Sequence, residues 1–214
     1  PVYLAQTGRI ASALAMDVRP GPLERAQAHV RDYEERERAR RQDVWAVPIH
    51  LRLSDGLKEL KPGEADTVII AGMGGELIIK ILDEGRHVWD SVKQYVLSPQ
   101  SDLDKVRRYL AAHGFAIEDE AMVKDEGKYY TVMSVKRGFM EYESQAHYLY
   151  GKILIDKKDV ILREYLGREM LRIEKILVSL QAKDGITDTE TRAEARISRQ
   201  KELSWIKEAQ DEMQ

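Results

Sequence analysis

The 214-residue chain is 43% hydrophobic and 33% charged, which excludes a disordered polymer and allows one or two globular domains. Its 34 Lys and Arg against 37 Asp and Glu give a net charge of -3, so no bulk positive field announces nucleic acid, and any such partner must meet a local patch. The absence of cysteine excludes disulfides and thiolate metal sites and suits a reducing cytoplasm, and no apolar run approaches the roughly 18 residues of a membrane span.

In chain order, short β-branched runs alternate with helical patterns up to residue 138. "ASALAMDV" reads as a strand, "GPLERAQAHVRDYEERERARRQ" as a charged helix, "VWAVPIHLRLSD" and "ADTVIIAG" as strands, "ELIIKILDEG" as a helix, "QYVLSPQ" as a strand and "LDKVRRYLAAHG" as a helix. Strand, helix, strand, helix predicts a mostly parallel sheet with crossover helices. "FAIEDEAMVKDEG" and "KYYTVMSVKRG" follow with only a short turn between them, which predicts an antiparallel hairpin at the sheet edge.

Residues 139–214 contain no proline, and the strand patterns stop. Leu162, Leu166, Met170, Ile173, Leu177 and Leu180 recur at helical steps and line one stripe. "KDGITDTE" supplies a turn at Gly185, and Asp188 or Thr189 caps a second helix carrying Ile197, Leu203, Ile206 and Met213. Two helices joined by a short loop predict an antiparallel hairpin or short coiled coil. The expected division is therefore an α/β domain over 1–138 and a helical coiled-coil domain over 139–214.

"AGMGGE" is neither a dinucleotide fingerprint nor a P-loop, and alone it is a strand-to-helix turn. Its position gives it interest, because ligands of open parallel sheets sit beyond the carboxyl ends of the strands. Two other strands end in acids: "ALAMDV" at Asp17 and "IHLRLSDGL" at Asp55, followed by Gly56. An ionised carboxylate at one strand tip can accept both hydroxyls of a ribose, and another can accept an adenine amino group. Each acid alone is more often a helix cap or loop carboxylate; together with the glycine turn they outline an adenosine pocket.

"ALAMDVRPGPLERAQAHV", "LRLSDGLKELKPGEADTVIIAGMGGELIIKIL" and "YVLSPQSDLDKVRRYLAAHGFAIEDEAMVKDEGKYYTVMSVKRG", with the helical tail, resemble the bacterial TrmK family of tRNA (adenine(22)-N1)-methyltransferases over nearly the whole chain. "ADTVIIAGMGGELI" carries most of the specificity. The resemblance implies a Rossmann-like class I methyltransferase sheet followed by a coiled-coil hairpin, S-adenosylmethionine as donor, and tRNA as substrate. It places Asp17 and Val18 at the donor ribose, Asp55 and Gly56 near the donor adenine, and Ala71, Gly72, Met73 and Gly74 beside the methionine part. The family's first strand and donor loop, of the form D-x-G-x-D-H-A-x-x-P, should precede Pro1, so the sheet is expected without its first strand and the chain is expected to bind the donor poorly.

Adenine N1 has an in-plane lone pair and no proton, so methyl transfer needs no base and no metal. Gly75, Pro99, Gln100 and Tyr129 are candidates to hold the target base, with Tyr130 as a second stacking face. One of the two tyrosines should be core, since alternate strand residues face opposite sides. Arg168, Arg172 and Lys175, and likewise Arg192, Arg196 and Arg199, form helical stripes able to touch tRNA phosphates, although interleaved acids make intrahelical ion pairing the alternative. The five histidines show no metal spacing. Three functions stay open: the tRNA methyltransferase, a truncated inactive homologue retaining only tRNA or protein binding, and a small-molecule methyltransferase. A homodimer through the C-terminal helices is also open.

Overall fold

A computed structural model describes residues 1–40, 46–181 and 189–214, without the side chains of residues 181 and 189–191. The chain forms two compact units, Pro1–Asp66 with Lys80–Val92, and Thr67–Ile79 with Lys93–Gln214.

The first unit begins with α1 (Val2–Gln6), β1 (Ala13–Asp17), α2 (Pro20–Arg40) and β2 (Ile49–Leu53). β1 and β2 pair in parallel from Ala13 opposite Ile49 to Asp17 opposite Leu53, so both carboxyl ends lie together. Pro20 suits the opening turn of α2, where its missing N–H costs nothing. Only Val30 and Tyr33 of that helix are buried, joining Ala5 and Ile49 in a small core. The Tyr33 hydroxyl accepts the Val47 N–H at 3.0 Å, which anchors the approach to β2. The loop after β2 is pinned by Arg52, whose guanidinium donates to both oxygens of Glu64 at 2.6 and 2.5 Å and to the Glu59 carbonyl at 2.7 Å.

The second unit contains β3 (Thr67–Met73), the start of α3 (Gly75–Glu84), β4 (Gln94–Pro99), α4 (Leu103–Ala112), β5 (Phe115–Asp125) and β6 (Lys128–Arg137). Its strand order is β3-β4-β6-β5, with β3 and β4 parallel and the remaining pairings antiparallel. The hairpin predicted from the two successive runs thus forms the edge, with β6 inside and β5 outside. Alternation along the strands buries one face, including Val68, Ile70, Tyr95, Leu97, Met133 and Val135, while Ile69 on the opposite face is exposed.

The chain continues through a π-helical turn, His147–Gly151, then α5 (Lys152–Asp156), α6 (Val160–Gln181) and α7 (Thr189–Glu212). Leu162, Leu166 and Ile173 are wholly buried and Met170 and Leu177 pack beside them, as the stripe predicts. Ile206 and Met213 supply the facing side from α7 and the turn after it. Arg163 donates to the Met213 carbonyl at 2.9 Å and Arg172 to Glu202 at 3.3 Å, pairings that run in opposite directions along the two helices. The pair is antiparallel. Ile197 departs from its expected stripe and is 53% exposed. Nine residues at about 100° each place it roughly opposite Ile206 on the helix, so the two cannot share a face. The Gly185 turn and the Asp188 cap lie outside the described residues.

Candidate active site

At the carboxyl ends of β1 and β2, Ser54 N–H donates to the Asp17 carbonyl at 2.9 Å and extends the parallel pairing by one bond. Asp17 Oδ1 accepts the Arg19 N–H at 2.8 Å, a local turn bond that fixes the carboxylate. Its Oδ2 has no partner among the described residues and is available to donors of a ligand. Val18 beside it is 56% exposed. Asp55 is differently placed: Lys58 Nζ donates to it at 2.5 Å and also reaches Glu84 at 3.1 Å. The Lys58 ammonium holds the Asp55 carboxyl below its usual range, so this acid is ionised and already engaged. Gly56 has φ +61°, and a Cβ there would lie 2.9 Å from Ile81 Cγ1, so turn geometry and packing both require glycine.

At the carboxyl end of β3 the glycines separate into different roles. The register jumps between Ala71 and Met73, which pair with Ser98 and Pro99, and the extra residue is Gly72 with φ +75°. A Cβ at Gly72 would meet nothing within 4 Å, so its left-handed conformation, rather than crowding, selects glycine. At Gly74 a Cβ would meet only Ser101 Oγ, at 3.2 Å. At Gly75 it would lie 2.5 Å from the Ser101 carbonyl oxygen and 2.9 Å from Asp102 Cβ. Gly75 therefore permits close approach of the β4–α4 connection, whereas the backbone at Gly72 stays open.

That connection is fixed in turn. Gln100 N–H donates to the Met73 carbonyl at 2.8 Å, Gly75 N–H points at Ser101 Oγ at 3.4 Å, and Ser101 Oγ donates to Asp102 at 2.7 Å. Lys105 bridges Asp102 at 3.1 Å and Glu76 at 2.5 Å. The Ser101 hydroxyl first, and Lys105 second, hold the Asp102 carboxyl below its usual range. Pro99 is buried at this tip, while Ala71, Met73 and Gln100 are exposed. The structure thus brings residues 71–75 together with Pro99 and Gln100. Ser101, which the sequence reading did not single out, holds the two turns together; its only sequence signal is its place after a strand tip.

Tyr129 packs toward the helices: its hydroxyl donates to Glu164 at 2.9 Å and its ring meets Tyr165 edge-on at 5.2 Å. Tyr130 alternates to the other face of β6, opposite Val123. On the tail, Arg172 pairs with Glu169 at 2.8 Å and with Glu202, and Arg199 also pairs with Glu202. Arg168 donates to the Gly127 carbonyl at 3.5 Å, and Arg192 is half-buried. Lys175 and Arg196 have no carboxylate partner among the described residues. No group of three or more His, Cys, Asp or Glu side chains among those residues is placed to hold a metal.

Residues 1–203 match the TrmK family, tRNA (adenine(22)-N(1))-methyltransferase. The tRNA (adenine(22)-N(1))-methyltransferase of Bacillus subtilis strain 168 is 27% identical over 181 residues, covering 82% of this chain and 72% of that protein. The crystal structure of the B. subtilis M1A22 tRNA methyltransferase TrmK superposes with a TM-score of 0.78 at 25% identity, over 98% of this chain and 86% of that one. A candidate tRNA (m1A22) methyltransferase of Streptococcus pneumoniae, solved in complex with S-adenosyl-L-methionine, superposes with a TM-score of 0.77 at 28% identity, over 98% and 86% of the two chains. With strand tips, a glycine turn and a helical tail arranged as described, and a family match over almost its whole length, the chain belongs to the TrmK family of tRNA (adenine(22)-N(1))-methyltransferases.

Proposed function

We propose that this chain transfers the methyl group of S-adenosylmethionine to N1 of an adenine at position 22 of tRNA, with residues 1–138 as the methyltransferase domain and residues 139–214 as a coiled-coil domain that positions the tRNA. The observation that carries the reading is the open backbone at Gly72 and Gly74, held beside Pro99 and Gln100 at the tips of two parallel strands. When bound, the donor supplies an electrophilic sulfonium methyl, whose bond to sulfur breaks as N1 attacks and leaves S-adenosylhomocysteine and a cationic N1-methyladenine.

In this reading Asp17 accepts the ribose hydroxyls with its free Oδ2, and Val18 offers an apolar edge beside them. Asp55 and Gly56 border the donor adenine. Lys58 donates to Asp55 Oδ2, and the remaining lone pairs of the carboxylate accept the amino group in this reading. Ala71, Gly72, Met73 and Gly74 receive the methionine portion, and Gly75, Pro99 and Gln100 orient the target base, while Tyr129, the fourth candidate, is engaged by Glu164 and Tyr165. No residue is required to move a proton, so orientation and exclusion of water carry the acceleration. Arg168, Arg172, Lys175, Arg192, Arg196 and Arg199 face the tRNA backbone. Exposed Leu171 and Val178 on α6 support a homodimer through the tail, checked by sedimentation. No helix among the described residues is long and apolar enough to cross a membrane.

The test is incubation with methyl-labelled donor and tRNA transcript, followed by nuclease digestion and mass spectrometry. N1-methyladenosine at position 22 is the expected product. Binding of tRNA without transfer would favour the inactive homologue, and labelling of free nucleosides would favour a small-molecule enzyme.

A further inference from the structure

A cleft of about 320 Å³ lies wholly within the second unit, where the start of α4 meets the helical tail. It is lined by the aromatic residues Tyr165 and Trp205, by Leu103 and Leu149, and by Asp104 and Glu169. Its acids are not equivalent. Glu169 and Glu202 are paired with Arg172, and Asp102 is held by Ser101 and Lys105. Asp104, half-buried in the first turn of α4, has no partner among the described residues. The cleft therefore presents two aromatic side chains and one carboxylate acceptor without a partner among the described residues, and two of its lining glutamates hold the Arg172 guanidinium. An apolar side chain would cover the aromatic rings and leave Asp104 unmatched, and a free phosphate would leave the rings uncovered. A planar group carrying N–H donors on one edge and a phosphate on the other side satisfies all three features.

We propose that this cleft is a subsite for a second, unstacked nucleobase of the RNA substrate, one that bears an exocyclic amino group. The base stacks against Tyr165 and Trp205, Asp104 accepts its amino N–H, and Arg172 meets its phosphate. Asp102 lines the cleft and also packs on Gly75, so the subsite adjoins the β3 and β4 tips proposed to hold the target adenine. The inference rests on the proposed tRNA activity, but its test reads binding rather than methyl transfer. Uracil is disfavoured, because its single ring N–H lies between two carbonyls that would face the carboxylate.

The experiment titrates tetranucleotides of adenosine, cytidine and uridine against the fluorescence of Trp205, taken as the difference between the protein and its Trp205→Phe variant. Adenosine and cytidine tetranucleotides should quench that signal and bind about tenfold tighter than the uridine one, and Asp104→Ala should bring all three within about twofold of each other. Asp104→Ala truncates a half-buried side chain that has no partner among the described residues, and thermal melting confirms that it folds. Equal binding of the three probes by the parent protein, an unchanged preference in Asp104→Ala, or no quenching of Trp205 would each overturn the subsite. Methyl transfer to tRNA, assayed separately, tells failure of the subsite from failure of the enzymatic reading.

Discussion

Arg107 and Glu120 form an ion pair in which both side chains are withdrawn completely from solvent, with Arg107 Nη2 and Nε donating to Glu120 Oε1 at 2.7 and 3.0 Å. Arg107 Nη1 also donates to the carbonyls of Tyr148 and Leu149, so one guanidinium joins α4, β5 and the π-helical turn. Gly151 closes this junction with φ +93°, and a Cβ there would lie 2.5 Å from Glu120 Oε2. Removing one partner leaves the other charge buried and unpaired. Glu120→Ala should therefore lower stability by about 3–5 kcal/mol in urea unfolding, while the double replacement Arg107→Met with Glu120→Leu should cost less than either single change. A loss in the double variant equal to the sum of the two single losses would show that the pair does not act as a unit.

Gly74 and Gly75 should respond oppositely to a single methyl group. Gly75→Ala forces the Ser101 backbone away and should lower the melting temperature clearly. Gly74→Ala meets only Ser101 Oγ, at 3.2 Å, a contact that a shift of a few tenths of an ångström relieves, so it should melt close to the parent yet lose methyl transfer by about tenfold, or 1.4 kcal/mol of barrier. Full activity in Gly74→Ala would return that turn to a purely structural role.

The Arg52 guanidinium, with a further bond from the Lys61 N–H, holds the Glu64 carboxyl down at about 2 against an ordinary 4.5. A depressed carboxyl stabilises the fold fully above its unfolded value and loses that contribution as pH falls through the folded one. The stability gap between the parent and Glu64→Gln should accordingly be widest above about pH 5 and shrink toward pH 2. Denaturation midpoints across that range decide it, and a gap independent of pH would separate Glu64 from the acid response.

The tail arginines divide by their partners. Charge reversal at Arg168 and Arg196 should raise KM for tRNA and reduce the slope of log affinity against log salt by roughly one per lost phosphate contact, with donor affinity unchanged. Arg172→Glu should additionally lower stability, because it sets a third carboxylate beside Glu169 and Glu202. An unchanged salt slope in the Arg168 and Arg196 variants would assign the tail to packing or self-association.

Local pattern was enough to read the alternation of strands and helices, the edge hairpin of β5 and β6, and the buried stripe through Leu162, Leu166 and Ile173, because hydrophobic period and turn residues act over a few positions. The same pattern marked residues 71–75 as a turn but could not tell its glycines apart. Whether a Cβ meets space, as at Gly72, or the Ser101 carbonyl, as at Gly75, depends on a segment 26 residues onward that the fold brings alongside. Arg107 reads in sequence as one more surface charge on "LDKVRRYLAAHG", and only the convergence of β5 and the π-helical turn buries it. Likewise Arg172 finds Glu202 30 residues away, across the helix pair. Periodicity records which face of an element is apolar; what that face, or a charge beside it, meets is settled by contacts between distant segments, and those exist only in the folded chain.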